Sequence, residues 1–303
     1  MKVNTPWLSV VTPTFNRAAL LREALQSVAS QGVEGVEQLV IDGGSTDATA
    51  EAVLAFPHAR LVGGPDDGIY DAVNKGLCLA RGEVIGLLNS DDLYLPGALR
   101  AASEAFADAA VEVASGGAEV FRQEGGERRV LQRYSGPKQL ALTLRNLTFG
   151  VPVINARFFR RALVERVGSM DLRYAIAADR EFLLRMALAR PREAVLARTV
   201  LAYRDHPDSL TLRAHVPAAV RYRAEHLDIA ERYMAMPALA SEDVRTFRAW
   251  HREESAMLAL GLALEGRVGE AFRAAARGWR LSVTWPIAVA GCIATAARKR
   301  LPG

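Results

Sequence analysis

The chain has 303 residues, 50% hydrophobic and 24% charged, enough apolar content for a large packed core and too much for a disordered or collagen-like chain. Two cysteines, Cys78 and Cys292, stand far apart with no CxxC pair, which excludes a disulfide framework and a cysteine zinc site and makes a reducing compartment the expectation. The net charge of +4 divides into −7 over residues 1–110 and +11 over residues 111–303, so the first part lacks the basic footprint of a nucleic-acid groove.

In chain order, residues 7–12 (WLSVVT) read as a short apolar strand, and 18–30 as a helix with Leu20, Leu21, Ala24, Leu25 and Val28 at helical spacing. Residues 38–41 are a second strand, 46–55 a short helix, 60–62 a weaker strand and 69–80 a helix. A fourth strand is expected at 83–88, a helix opened by Pro96 at 96–107, and a fifth strand at 111–115. This alternation predicts a largely parallel sheet covered on both faces, with a ligand crevice beyond the carboxyl ends of its strands. The Gly-rich stretch 116–136 reads as a hairpin turning at Gly125 and Gly126. Two helical stretches flank Gly168 within 160–189, and 194–204 reads as a strand. Helices are expected at 215–235, 242–264, 267–280 and 286–300.

The strand ends carry the chemistry. After the first strand comes PTFNR (13–17), which lacks the glycines of a dinucleotide fingerprint or a P-loop. Asp42 ends the second strand, where a buried carboxylate needs a partner. That partner is either a base N–H or ribose hydroxyl of a ligand, or the turn itself, with Ser45 or Thr46 capping the next helix. After the fourth strand, Asn89-Ser90-Asp91-Asp92 sets two acids side by side. Either a hard divalent cation sits between them, or they form a solvated turn ahead of the helix at Pro96.

The ordered string TPTFNRAALLREALQSV, VIDGGSTDAT and DDGIYDAVNKGLCLARGEVIGLLNSDDLYLPGAL resembles family 2 of the nucleotide-diphospho-sugar glycosyltransferases, strongly over residues 7–105. VINARFFRR, VGSMDLRYAIAADREFLLRMAL and LAYRDHPDSLT extend it to about residue 212. The resemblance is to soluble bacterial members that build capsule, O-antigen and exopolysaccharide units. It implies an α/β GT-A fold, a Rossmann-like mixed sheet over residues 1–213, with a helical extension over 214–303. It further implies that Thr12, Pro13, Thr14, Asn16 and Arg17 line the nucleotide, with Asp42 and Gly43 at the base, favouring uridine or thymidine. Asn74 and Lys75 would line the nucleotide-sugar, as would Ser90 and Asp91, while Asp91 and Asp92 would hold Mn²⁺ or Mg²⁺. Asn89 stands where many members have Asp. Asp179 matches the general base of inverting members, with Glu181 the competing carboxylate and capping of helix 180–189 the alternative role. Ile154 and Asn155 replace a frequent His-Gln. Arg204 and His206 either meet the metal or pyrophosphate or stabilise a loop.

The implied reaction moves a sugar from a UDP- or dTDP-linked donor to a hydroxyl of a saccharide or polyprenyl-linked acceptor, with inversion and without a covalent nucleophile. The rival reading is a non-catalytic nucleotide-sugar binder or scaffold of a polysaccharide assembly complex. Processive synthases are a poorer match, because the QxxRW motif is missing. No nucleic-acid partner is expected. A cytoplasmic protein is, with peripheral contact at the inner membrane face through residues 267–300, where Trp279, Trp285 and basic residues bracket an apolar stretch. Docking of that segment on the core is the alternative.

Overall fold

The computed structural model describes residues 5–206, 216–282 and 284–291, and the chain divides into two compact units, Met1–His206 and Pro207–Gly303. The expected boundary after residue 213 and the end of the fourth tail helix lie outside the described residues.

In the first unit β1 (Leu8–Thr14) is buried at every position, as a central strand covered on both faces must be. After α1 (Ala18–Ala29) comes β2 (Val36–Asp42), which lies parallel to β1 with Thr14 opposite Asp42. After α2 (Thr49–Leu54), β3 (Ala59–Gly63) pairs in parallel with β2. After α3 (Ile69–Leu79), β4 (Val84–Leu87) lies parallel to β1 on its other side. The expected α/β alternation is therefore present, and the ends of β1, β2 and β4 open on one edge. Helix α2 starts later than expected because the preceding loop is otherwise engaged. Asp47 accepts from the backbone N–H groups of Ala18 and Thr49 (2.9 and 3.1 Å), and Thr46 N–H goes to Asn16 (2.8 Å).

Gly76 sets the depth of α3. A Cβ there would strike Val11 on β1 and lie 3.2 Å from Ile41 on β2. Gly76→Ala is expected to cost about 1–3 kcal/mol through overpacking, read from the urea midpoint. At the opposite edge of the sheet Glu37 gathers Ser9 Oγ (2.6 Å), Arg81 N–H (2.9 Å) and the Arg81 guanidinium (2.6 Å). Burial alone would raise Glu37, but these hydrogen bonds outweigh it and hold the carboxyl below its ordinary value. Its contribution to stability is full above the ordinary glutamate range and is lost as pH falls through the lowered native value. The acid limb of stability against pH is expected to flatten in Glu37→Gln, measured by urea unfolding at several pH values.

The second half of the sheet is mixed. It comprises β5 (Leu93–Tyr94), α4 (Ala98–Phe106), β6 (Val113–Glu124), β7 (Glu127–Tyr134), α5 (Pro137–Leu140) and α6 (Leu144–Phe149). After a short 3-10 turn (Ile154–Ala156) come β8 (Arg157–Arg160), α7 (Arg161–Val167), α8 (Ala178–Leu188) and β9 (Glu193–Arg204). The strand order is β3-β2-β1-β4-β8-β6-β9-β5, with β7 beside β6. Strand β8 runs antiparallel to both β4 and β6, while β9 runs parallel to β6.

Two expectations are corrected here. The fifth strand and the first arm of the hairpin are one strand, β6. Its Gly116 makes room for β9 and its Gly117 for β7, since side chains there would strike Val200 and the Tyr134 carbonyl, and the register with β9 shifts at this point. The hairpin does turn at Gly125 and Gly126, both at positive φ. Pro96 does not open α4, which begins at Ala98 behind a left-handed Gly97 (φ 79°).

In the second unit α10 (Ser241–Leu264) packs against both α9 (Val216–Met234) and α11 (Val268–Leu281). Leu227, Leu258, Leu262, Ala271 and Ala274 form its core, and Tyr233 stacks on Phe247 at 4.8 Å. Residues 285–291 are helical.

Candidate functional site

The crevice starts from backbone placement. Thr12 and Pro13 are buried in β1, and the Thr12 hydroxyl accepts from Gln38 Nε2 at 2.9 Å inside the sheet. Thr14, at the strand end beside Asp42, has a buried hydroxyl with no protein partner. Asp42 is buried and accepts from Ser45 N–H at 3.1 Å, so its carboxylate braces the loop that follows β2. Asn16, at φ 50°, accepts from Thr46 N–H, while its own N–H goes to Ser45 Oγ at 2.8 Å. The loops after β1 and β2 thus form one knitted rim. Phe15 stands out of this rim, 57% exposed.

Gly43 N–H donates to the Thr14 carbonyl (3.1 Å), and a Cβ on Gly43 would come within 2.7 Å of the Asp66 carboxylate. Asp66 follows β3, and sequence reasoning assigns it no role. The signal is the acid pair in GPDDG, after a third strand that itself reads weakly. Asn74 and Lys75 lie on α3. The Asn74 amide exchanges two hydrogen bonds with the Met170 backbone (2.8 and 2.9 Å), and Lys75 donates to the Pro65 carbonyl (2.7 Å) and pairs with Asp71. In this structure both residues brace loops around the crevice.

The two adjacent acids after β4 part company. Ser90 between Asn89 and Asp91 is buried, and Asp92 N–H turns back to the Asn89 carbonyl at 3.1 Å. Asp91 pairs with Arg17, and His206 Nε2 lies 2.9 Å from the same carboxylate oxygen. Asp92 points inward, fully buried, accepting from Asn155 Nδ2 (3.1 Å) and from the backbone N–H of Arg204 (3.0 Å). Burial first, and the neighbouring Asp91 charge second, push its pKa well above the ordinary carboxylate range. The expected pincer of Asp91 and Asp92 therefore does not converge. Among the described residues no three His, Cys, Asp or Glu side chains are gathered to hold a metal.

What remains is a smaller donor set, one carboxylate and one imidazole, Asp91 and His206, with the Arg17 guanidinium standing where a cation would be drawn. Of the two expected ions, a carboxylate with an imidazole and open positions suits Mn²⁺ better than Mg²⁺, which prefers oxygen ligands throughout. Arg204 is a strut rather than a crevice group. Its guanidinium donates to the Asp91 carbonyl (2.9 Å) and to Glu23 (2.6 Å).

Asp179 lies in the first turn of α8, behind Ala177 at the N-cap, where no side chain caps the helix. Its Oδ1 accepts from Arg180 N–H at 2.7 Å and lies 3.5 Å from the Tyr70 hydroxyl, which donates to the Ile176 carbonyl at 2.7 Å. Burial pushes its pKa up, opposed by Arg180. The rival carboxylate, Glu181, is fully buried and bound by the Arg185 guanidinium at 2.9 Å. Reaching an acceptor would mean breaking a buried ion pair, a strongly unfavourable event. Ile154 and Asn155 are also buried, and Asn155 serves Asp92.

The family description "Glycosyl transferase family 2" matches residues 9–168. An uncharacterised glycosyltransferase of Mycobacterium tuberculosis is 36% identical over 214 residues, 67% of this chain and 76% of its own length. A PGL/p-HBAD biosynthesis glycosyltransferase of Mycobacterium bovis is 35% identical over 190 residues, 59% of this chain and 69% of its own. In structure, S. aureus TarS 1-349 in complex with UDP-GlcNAc superposes with a TM-score of 0.68 at 19% identity, covering 93% of this chain and 88% of that one. The mannosyltransferase PcManGT of Pyrobaculum calidifontis, in complex with GDP-Man and Mn²⁺, gives 0.62 at 20% identity, covering 98% and 81%. These two likenesses place the fold, the GT-A arrangement of a mixed sheet with helices following it. The family match spans more than half of the chain, and on that ground the protein belongs to glycosyl transferase family 2 and is a glycosyltransferase.

Proposed function

We propose that the protein is an inverting enzyme that transfers a hexosyl or N-acetylhexosaminyl group from a UDP- or dTDP-sugar to a hydroxyl of a saccharide or polyprenyl-linked acceptor. The setting is cell-surface polysaccharide synthesis at the inner face of the cytoplasmic membrane. The observation that carries the reading is Asp179, a half-buried carboxylate with a raised proton affinity, in a protein whose nearest competitor, Glu181, is locked to Arg185. A carboxylate whose proton affinity is raised in this way is a stronger base than an ordinary aspartate. Asp179 accepts the proton of the acceptor hydroxyl as its oxygen attacks the anomeric carbon. The bond from that carbon to the diphosphate breaks on the opposite face, and the electron pair leaves with the nucleoside diphosphate.

The other residues position the donor. Phe15 offers an exposed ring for a planar base, and the unpartnered Thr14 hydroxyl and Asp42 lie at the strand ends beside it. Arg17 and His206 face the diphosphate from beside Asp91. Asp91 and His206 would hold Mn²⁺ or Mg²⁺, with Asp92 behind them fixing the turn. Bound there, the ion neutralises charge growing on the departing diphosphate. A donor of nucleotide-sugar class is supported by the UDP-GlcNAc of the TarS complex and the GDP-Man and Mn²⁺ of the PcManGT complex.

Thermal melting with UDP, dTDP and GDP, each with and without Mn²⁺, tests the reading. A specific nucleotide at a hundredfold excess over its Kd adds about 2.7 kcal/mol, a shift of several degrees. The expected result is a shift by UDP or dTDP that Mn²⁺ enlarges. No shift with any nucleotide would favour the non-catalytic scaffold.

A further inference from the structure

Helix α11 buries its small residues and exposes its large ones. Val268, Phe272 and Trp279, spaced four and seven residues apart, share one helical face and are 70%, 75% and 57% exposed. The buried face is Ala271, Ala274 and Gly278. Gly278 is needed there, because a Cβ would strike Ser255 of α10 and Trp285, whose Nε1 donates to Ser255 at 3.0 Å. A helix that only faced water would not carry an apolar stripe on its outer side.

Charge says what the stripe meets. Residues 267–303 hold seven Lys and Arg and a single acid, Glu270, which Arg267 engages at 2.7 Å. Arg277 is taken by Glu231 (2.7 Å), leaving exposed Arg273 and Arg280 on the flank of the stripe. Aromatic and aliphatic side chains edged by arginine match the boundary between acyl chains and anionic headgroups. A second copy of the chain would instead bring like charges together. Among the described residues no helix is long and apolar enough to cross a membrane.

We propose that this face of α11 docks on the surface of a bilayer containing anionic lipid. Val268, Phe272 and Trp279 enter the headgroup boundary, and Arg273 and Arg280 lie against lipid phosphates. The inference is independent of the donor chemistry and is tested without nucleotide. Co-sedimentation of the full chain is measured with vesicles of phosphatidylcholine alone and with phosphatidylglycerol added. Binding is expected only with the anionic lipid, weakening as salt rises. The double variant Val268→Asp, Phe272→Asp is expected to bind at least about tenfold more weakly at an unchanged Tm, and Arg273→Glu, Arg280→Glu to weaken binding as well. The proposal is overturned if the native chain binds neither vesicle, or if the apolar variant binds as well as native. It is equally overturned if the native chain is a dimer that Phe272→Asp splits, which would make the stripe a contact between copies.

Discussion

Asp179→Asn is expected to bind nucleotide as native does and to transfer sugar about a hundredfold or more slowly, the usual scale for loss of a general base. The amide keeps the shape of the side chain and its contact with Arg180 N–H but cannot take a proton. Two further signatures separate this from a structural defect. In the native enzyme the carboxylate must be ionised to act, and burial raises its pKa, so kcat/KM falls as pH drops through a value above the ordinary aspartate range. That limb should vanish from the residual activity of the variant. The raised affinity also means that the folded state favours the protonated acid. Stability from that preference is present at low pH and is lost as pH rises through the native pKa. Removing the charge should therefore leave Tm at neutral pH unchanged or higher, the pattern of a residue kept for function at the expense of stability. Near-native turnover would remove Asp179 from the mechanism, and Glu181→Gln would then be the next variant to assay.

Asp91→Asn and Asp92→Ala are expected to fail in different ways, although the residues are adjacent. Asp91 faces the crevice between Arg17 and His206, so its amide variant should fold normally and lose the Mn²⁺-dependent part of nucleotide affinity. That loss is about ten- to a hundredfold, read by calorimetric titration with and without the ion. Asp92 is sealed in, and its truncation leaves the Asn155 amide and the Arg204 N–H without their acceptor. Each buried donor left unpaired costs about 1–3 kcal/mol, so Asp92→Ala should lower Tm by several degrees before any question of metal arises. Equal metal dependence in Asp91→Asn and the native protein would shift the cation elsewhere.

The sequence made the first half of the fold legible because each strand there is an apolar run closed by a polar strand end, followed by a helix of matching period. Strands β5 and β8 escaped notice because two and four residues are too few to show a period. Gly116 of β6 reads as loop because its purpose, admitting Val200 of β9, lies more than eighty residues away. The site divides along the same line. Asp42 and Asp91 could be named from their positions at strand ends, and Asp179 from the family resemblance. That Asp92 turns inward could not, since its partners stand 63 and 112 residues further along. The local roles of Asn16 and Asn74, each bonded to backbone of a distant loop, were equally hidden.

Those separations bear on how the protein is made. Strands β1 to β4 are complete once residue 87 has been synthesised, and their pairings are mostly with near neighbours in the chain. The turn that carries Asp91 and Asp92 can then meet Arg17 but still lacks its later partners. Asn155 arrives with the segment ahead of β8, and Arg204 and His206 come at the end of β9. Closing such long loops is the slow part of folding, and a nascent chain presents its early sheet long before its late closures. A ribosome-bound chain shorter than about 200 residues would then hold an early sheet whose acid turn still waits for Arg204 and His206.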